Sequence, residues 1–151
     1  MSEEPGRDAL AERIAAAKAG GTFVELVDAI PYARFLGLSI SVDDDGVLGR
    51  MAFAQRNIGN AALPALHGGT IGALLELTAT FQLLWQGDTG VLPKTISLTI
   101  EYLRTGRPLD TFARAQLVRQ GRRVAPLRIV AWQDDPGKPI AAATAQFLLI
   151  D

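Results

Sequence analysis

Residues 66–85 read LHGGTIGALLELTATFQLLW and hold the groups best suited to chemistry. His67 is the chain's only histidine, Gly68 and Gly69 follow it, and Glu76 is the only charged side chain from Leu66 to Gln86. A carboxylate in so apolar a segment is costly to desolvate unless donors or a use for it are at hand. It can act as a general base or as a nucleophile. Two glycines at a helix start leave bare backbone N–H groups at the positive end of the helix dipole, which suits an acyl oxyanion or another anion. Each feature also has a plain structural reading. Glu76 could mark a solvated face or pair with an arginine, and His-Gly-Gly could be only a loop-to-helix turn with His67 at the cap.

With Glu76 at zero on a helix stepping about 100° per residue, Gly69, Gly72, Ala73, Ala79, Thr80 and Leu83 fall within roughly 60° of it. Ile71, Leu74, Leu77, Phe81 and Trp85 fall on the opposite side and are expected to pack on a sheet. The small-residue stripe around Glu76 lets another backbone or a ligand come close. Thr80, one turn on, is placed to donate to the carboxylate or to a water. Glu76 also lies about 13 Å along the axis from His67, on nearly the other side. One helix cannot easily aim both the Gly68 amide and the Glu76 carboxylate at one carbonyl, whereas two antiparallel copies can. The expectation is an obligate dimer with two sites across a two-fold axis.

The elements that must position these groups follow from pattern. Residues 7–19 are Ala-rich with mixed charges and predict a helix ended by Gly20-Gly21, after which Thr22 can cap a short helix to about Ala29. Pro31 restarts the chain into YARFLGL. Two strand-like runs, LSISV and VLGRMAF, are joined by Asp43-Asp44-Asp45-Gly46, whose Asp-Gly end signals a hairpin. AQRNIGNAALPA predicts a loop, the 66–85 helix follows, and QGDTGVLP breaks it. From Lys94 four alternating, β-branched runs predict an antiparallel meander, with turns at Gly106–Asp110, Gln120–Arg122 and Asp134–Lys138. The class is α+β, with one long helix lying on a curved antiparallel sheet.

Bulk properties narrow the chemistry further. The 151 residues, 48% hydrophobic and 21% charged, fit one globular domain. A net charge of −1 with no run of Lys or Arg argues against nucleic acid or an anionic membrane as partner. With no cysteine and one histidine, no disulfide, thiolate metal site or other protein-built metal site is expected. The acidic, polar start is unlike a signal peptide, and the longest apolar stretch carries Gly, Thr, Gln and Glu, unlike a membrane span. The expected location is cytoplasmic.

The run HGGTIGALLE, then TISLTIEYLR, a Gly-Arg turn and a last strand AAATAQFLLI, resembles the hotdog-fold acyl-CoA thioesterases. The similarity is to the phenylacetic-acid-degradation branch, related to the 4-hydroxybenzoyl-CoA thioesterases that use a glutamate. It covers roughly residues 35–150, leaving 1–34 as an N-terminal helical extension before a hotdog domain at 35–151. The resemblance implies hydrolysis of an acyl- or aryl-CoA with no cofactor, in a homodimer whose expected assembly is a dimer of dimers. It assigns Gly68 N–H, in the Gly68-Gly69 turn, to the thioester carbonyl and Glu76 of the partner chain to nucleophile or general base. Thr80 matches a hydroxyl that positions the lytic water, His67 orders the glycine turn or contacts the thioester, and Thr95 matches an assisting Ser or Thr. The family often has Asn or Gln about six residues before the His. Here that position is Ala61, with Asn60 beside it and Asn57 further back. Arg104, Arg107, Arg122 and Arg123 stand where the family holds the nucleotide phosphates, and Phe53 and Leu83 join the expected acyl pocket. The rival readings are a hydroxyacyl-thioester dehydratase, which needs a His–acid pair at one site, and a non-catalytic hotdog binding or scaffold dimer.

Overall fold

A computed structural model describes residues 5–88 and 90–149. Three helices come first: α1 (Pro5–Gly20), α2 (Val24–Asp28) and α3 (Pro31–Leu36). Thr22 does not cap α2. Phe23 takes the cap position without a side-chain bond, and the Thr22 hydroxyl only approaches Val24 N–H at 3.4 Å. Burial decides this: Phe23 is fully buried, its ring centroid 5.3 Å from Phe81 and 6.1 Å from Trp85 of the central helix. The aromatic contact fixes where the chain turns, and a threonine cap is worth only about 1 kcal/mol against it. Pro31 opens α3 and Gly37, at φ 69°, closes it in the left-handed region.

The hairpin forms as its Asp-Gly end predicts. Strands β1 (Leu38–Asp43) and β2 (Gly46–Met51) pair in register from Leu38↔Met51 to Asp43↔Gly46, with Gly46 at φ 100°. The next stretch is more ordered than the expected loop. A single 3-10 turn at Gln55–Asn57 leads into a small separate ladder of β3 (Ile58–Asn60) and β4 (Ala65–Leu66). Asn60 Oδ1 closes its turn by accepting from the Ala62 and Leu63 N–H groups at 3.0 and 3.3 Å.

The central helix α4 (Gly68–Gln86) lies on a six-stranded sheet completed by β5 (Lys94–Tyr102), β6 (Thr111–Leu117), β7 (Val124–Trp132) and β8 (Ala141–Leu148). This is the hotdog arrangement. The strand order β1-β2-β6-β7-β8-β5 corrects the expected four-strand meander: of those four strands only β6, β7 and β8 are consecutive neighbours. β5 pairs with β8 at the sheet edge instead of with β6. The eight-residue connection Leu103–Asp110 is too long for a tight hairpin and long enough to cross beneath two strands. Leu74, Leu75, Phe81 and Leu84 of α4 bury fully against Ala113, Leu127, Ile129 and Phe147 of the sheet. Among the described residues no helix is long and apolar enough to cross a membrane.

Candidate active site

The small ladder exists next to the His-Gly-Gly turn and holds it. Ile58 pairs with Leu66, which brings the Asn57 carbonyl 2.8 Å from His67 N–H. His67 is the N-cap of α4: its Nδ1 accepts from Gly69 N–H at 2.9 Å, and its carbonyl accepts from Thr70 N–H at 3.0 Å. The imidazole is therefore a capping acceptor on this turn, the structural role considered for it from the sequence. Gly68 is the first residue of the helix, where an N–H has no intrahelical partner. The Tyr102 hydroxyl donates to the Gly68 carbonyl at 2.8 Å. A Cβ on Gly68 would stand 3.1 Å from that ring, so a side chain there would push the tyrosine aside by a few tenths of an ångström. Asn57 is completely buried, and neither its Oδ1 nor its Nδ2 has a hydrogen-bond partner among the described residues. An orphaned buried amide is costly, at about 1–3 kcal/mol, and such groups concentrate at functional sites.

Eight residues along the helix from Gly68, the Glu76 carboxylate is half-buried and its Oε1 accepts from the Thr95 hydroxyl at 3.1 Å. That contact depends on an irregularity in β5. Ile100 and Tyr102 face α4, where they meet Gly72 and Gly68. Strict alternation would then turn Ile96 inward and Thr95 outward. The register against β8 shifts between Thr95 and Ser97, so Thr95 faces the helix and Ile96 is 56% exposed. Thr80 shares the half-exposed stripe, but its hydroxyl donates to the backbone carbonyl of Glu76 at 3.0 Å rather than to the carboxylate. Gly69, Ala73 and Thr80 stay at least partly open around Glu76, while Gly72, Ala79 and Leu83 are covered by the same chain.

The remaining candidates divide between two ends of the molecule. Gly68 and Tyr102 line a cavity of about 590 Å³ with Leu63, Leu66, Leu103 and Arg104. Arg104, whose guanidinium bonds the Pro139 carbonyl at 2.7 Å, also borders a neighbouring cavity with Arg107 and Lys138. Arg107 is ion-paired to Asp134. Arg122 lies at the other end of α4, where it lines a cavity of about 430 Å³ with Leu83, Leu117 and Leu149. Arg123 begins β7's approach and is exposed. The four arginines thus do not gather in one place within the chain. Phe53 is not with Leu83: it follows β2, its N–H held by Asp110 at 2.8 Å. Asn60, exposed and engaged in its own turn, offers less than the buried Asn57. Sequence reading left Thr70 and Tyr102 out altogether, because a threonine in a helix and a tyrosine in a strand carry no pattern of their own.

A sequence model of the thioesterase superfamily matches residues 63–140, which takes in the glycine turn, α4 and strands β5 to β7. The chain belongs to the thioesterase superfamily. This thioesterase is 31% identical over 137 residues to the medium/long-chain acyl-CoA thioesterase YigI of Salmonella typhimurium, covering 80% of this chain and 86% of that protein. A crystallised Chromobacterium violaceum protein is 39% identical, with a TM-score of 0.76 over 93% of this chain and 98% of that one. The Escherichia coli PaaI protein, from the phenylacetic acid degradation operon, shares the fold at TM-score 0.70 and 22% identity, covering 91% and 98%. The thioesterase is a thioester hydrolase of the hotdog type, as the resemblance implied.

Proposed function

We propose that the protein hydrolyses the thioester of medium- to long-chain acyl-CoA substrates at a site shared by two protomers. The observation that carries this reading is Glu76, a lone carboxylate on an apolar helix with one oxygen held by Thr95. In the proposed reaction Glu76 takes a proton from a water whose oxygen attacks the thioester carbon. The carbonyl oxygen becomes an oxyanion at Gly68 N–H of the other protomer. Collapse breaks the C–S bond and releases the CoA thiolate, which picks up a proton, and the free acid. The chain length follows the name of the Salmonella relative. The CoA phosphates are assigned to Arg104 and Lys138, which border one cavity together with Asp134 and Asp135.

The protomers are proposed to join along β5, which is hydrogen-bonded to β8 on one side only. Its surroundings expose Leu92, Ile96, Tyr102 and Leu103 by 40–56%. An edge strand with Ile96 and Tyr102 exposed on it can take a second strand. Antiparallel pairing of two β5 strands sets Thr95 of one near Tyr102 of the other, and so Glu76 near the partner's glycine turn. Pairing of such dimers into a tetramer, and a cytoplasmic location, complete the proposal.

The test is free-thiol release from a panel of short-, medium-, long- and aryl-acyl-CoA esters. The expected result is turnover that rises with chain length and falls at least about a hundredfold in Glu76→Ala, which is the scale of a lost general base. Binding of CoA esters with no thiol release from any of them would contradict hydrolysis and favour a binding or scaffold role.

A further inference from the structure

We propose that Thr70 and Tyr102 clamp Gly68 from its two sides and thereby aim its N–H at the thioester carbonyl. The inference rests on the reading above, in which that N–H is the oxyanion donor.

A glycine at such a position needs holding, because without a side chain its two flanking peptides can rotate. The peptide before it carries the His67 carbonyl at one end and the Gly68 N–H at the other, in one rigid plane. That carbonyl accepts twice from Thr70: from the hydroxyl at 2.7 Å and from the backbone N–H at 3.0 Å. Fixing the oxygen end fixes the direction of the N–H at the opposite end. The peptide after Gly68 is held at both ends. Its carbonyl takes the Tyr102 hydroxyl at 2.8 Å, and its N–H, that of Gly69, goes to His67 Nδ1 at 2.9 Å.

Packing reinforces the bonds. The Tyr102 ring lies so close that a Cβ at Gly68 would meet its Cζ and Oη at 3.1 Å. Thr70 is 8% exposed, so water does not compete for its hydroxyl bond. A carbonyl that accepts two hydrogen bonds also polarises its peptide and makes the attached N–H a better donor. Thr70 and Tyr102 are positioning residues, since they act through Gly68. Tyr102 has a second consequence: it sits on the same strand as Thr95, which holds Glu76. One edge strand thereby sets the geometry of both halves of the reaction.

The test uses the full-length protein and the conservative variants Thr70→Val, Thr70→Ser and Tyr102→Phe. In Thr70→Val and Tyr102→Phe, kcat should fall about tenfold with KM within about twofold, less than the 10²–10³ loss of an entire oxyanion donor. Thr70→Ser keeps the hydroxyl and should recover most of the rate. The spectroscopic readout is the infrared carbonyl band of a ¹³C-labelled acyl-CoA bound in a Glu76→Gln background. The band should lie below its frequency in water, and should move back toward it when either hydroxyl is removed. A merely structural role would lower thermal stability while leaving kcat and the band in place, and that result would overturn the clamp. Should Thr70→Val not fold, the exposed Tyr102→Phe decides alone. If the unaltered protein releases no thiol from any acyl-CoA, the proposed function fails with the clamp. If it turns over and the variants match it in kcat and band position, only the clamp fails.

Discussion

At the scale of single residues, Glu76 combines three properties that rarely meet on one acid: a helix without other charges, small neighbours, and a hydroxyl partner on one oxygen. Holding Oε1 with Thr95 leaves the second oxygen available, in the proposed reaction, either to deprotonate a water or to attack the thioester carbon directly. A single turnover in H₂¹⁸O distinguishes the two. Label should appear in the product acid of the first turnover, and label retained instead on Glu76 would show a covalent anhydride. Much of this residue-level picture was legible in the sequence. The lone acid and the double glycine stand out by type and spacing, and the resemblance named Thr95. Thr70 and Tyr102 were not legible, and Asn57 was a candidate whose burial was not, because these features come from what approaches the residues in space. The Thr80 hydroxyl went to the helix backbone for a local reason: a carbonyl four residues back is always within its reach.

At the scale of elements, the sheet shows where pattern runs out. Alternation located every strand from Lys94 onward, yet it could not show that β5 leaves its sequence neighbour to pair with β8. Nor could it reveal the register shift that turns Thr95 toward α4, since a bulge depends on pairing rather than on composition. The hairpin end of the sheet is tied by two ion pairs. Asp43 bonds Arg114 across to β6 at 2.5 Å, and that guanidinium, with the Asp45 N–H, holds the carboxyl below its ordinary range. Asp110 is lowered first by the Phe53 N–H and then by Arg50, 2.6 Å away. For a carboxyl whose folded pKa lies below its unfolded one, the stabilisation is present above about pH 4 and is lost as pH falls through the folded value. Thermal stability should therefore decline in that acid range, and Asp110→Asn should flatten part of the decline in a melting-temperature series. An Asp110→Asn series with the parent's full acid slope would remove Asp110 from this role. Both pairs are exposed, so the effect should be small and should shrink in salt.

At the scale of the whole molecule, one chain carries the two halves of the proposed site apart from each other. The carboxylate is bonded to the start of β5 and the glycine turn to its end, seven residue steps of strand apart, about 23 Å. The same strand is the sheet's open edge. In the proposed dimer a two-fold axis through the middle of this strand would join the start of each copy to the end of the other and so produce two complete sites. The expectation of an antiparallel dimer came from the helix alone, through the distance and direction between His67 and Glu76. The strand that would make it was not foreseeable, because its edge position appears only in the folded sheet.

Mixing two inactive variants tests this account most directly. Chains carrying Glu76→Ala lack the base, and chains carrying Gly68→Val lack the glycine turn beneath Tyr102, so each homodimer should be inactive. A heterodimer of the two keeps one intact site, built from the unaltered Gly68 of the first chain and the unaltered Glu76 of the second. Purified heterodimers should regain about half of the parent activity per dimer in thiol release from an acyl-CoA. Heterodimers that stay as inactive as the two parents would contradict a site shared between chains.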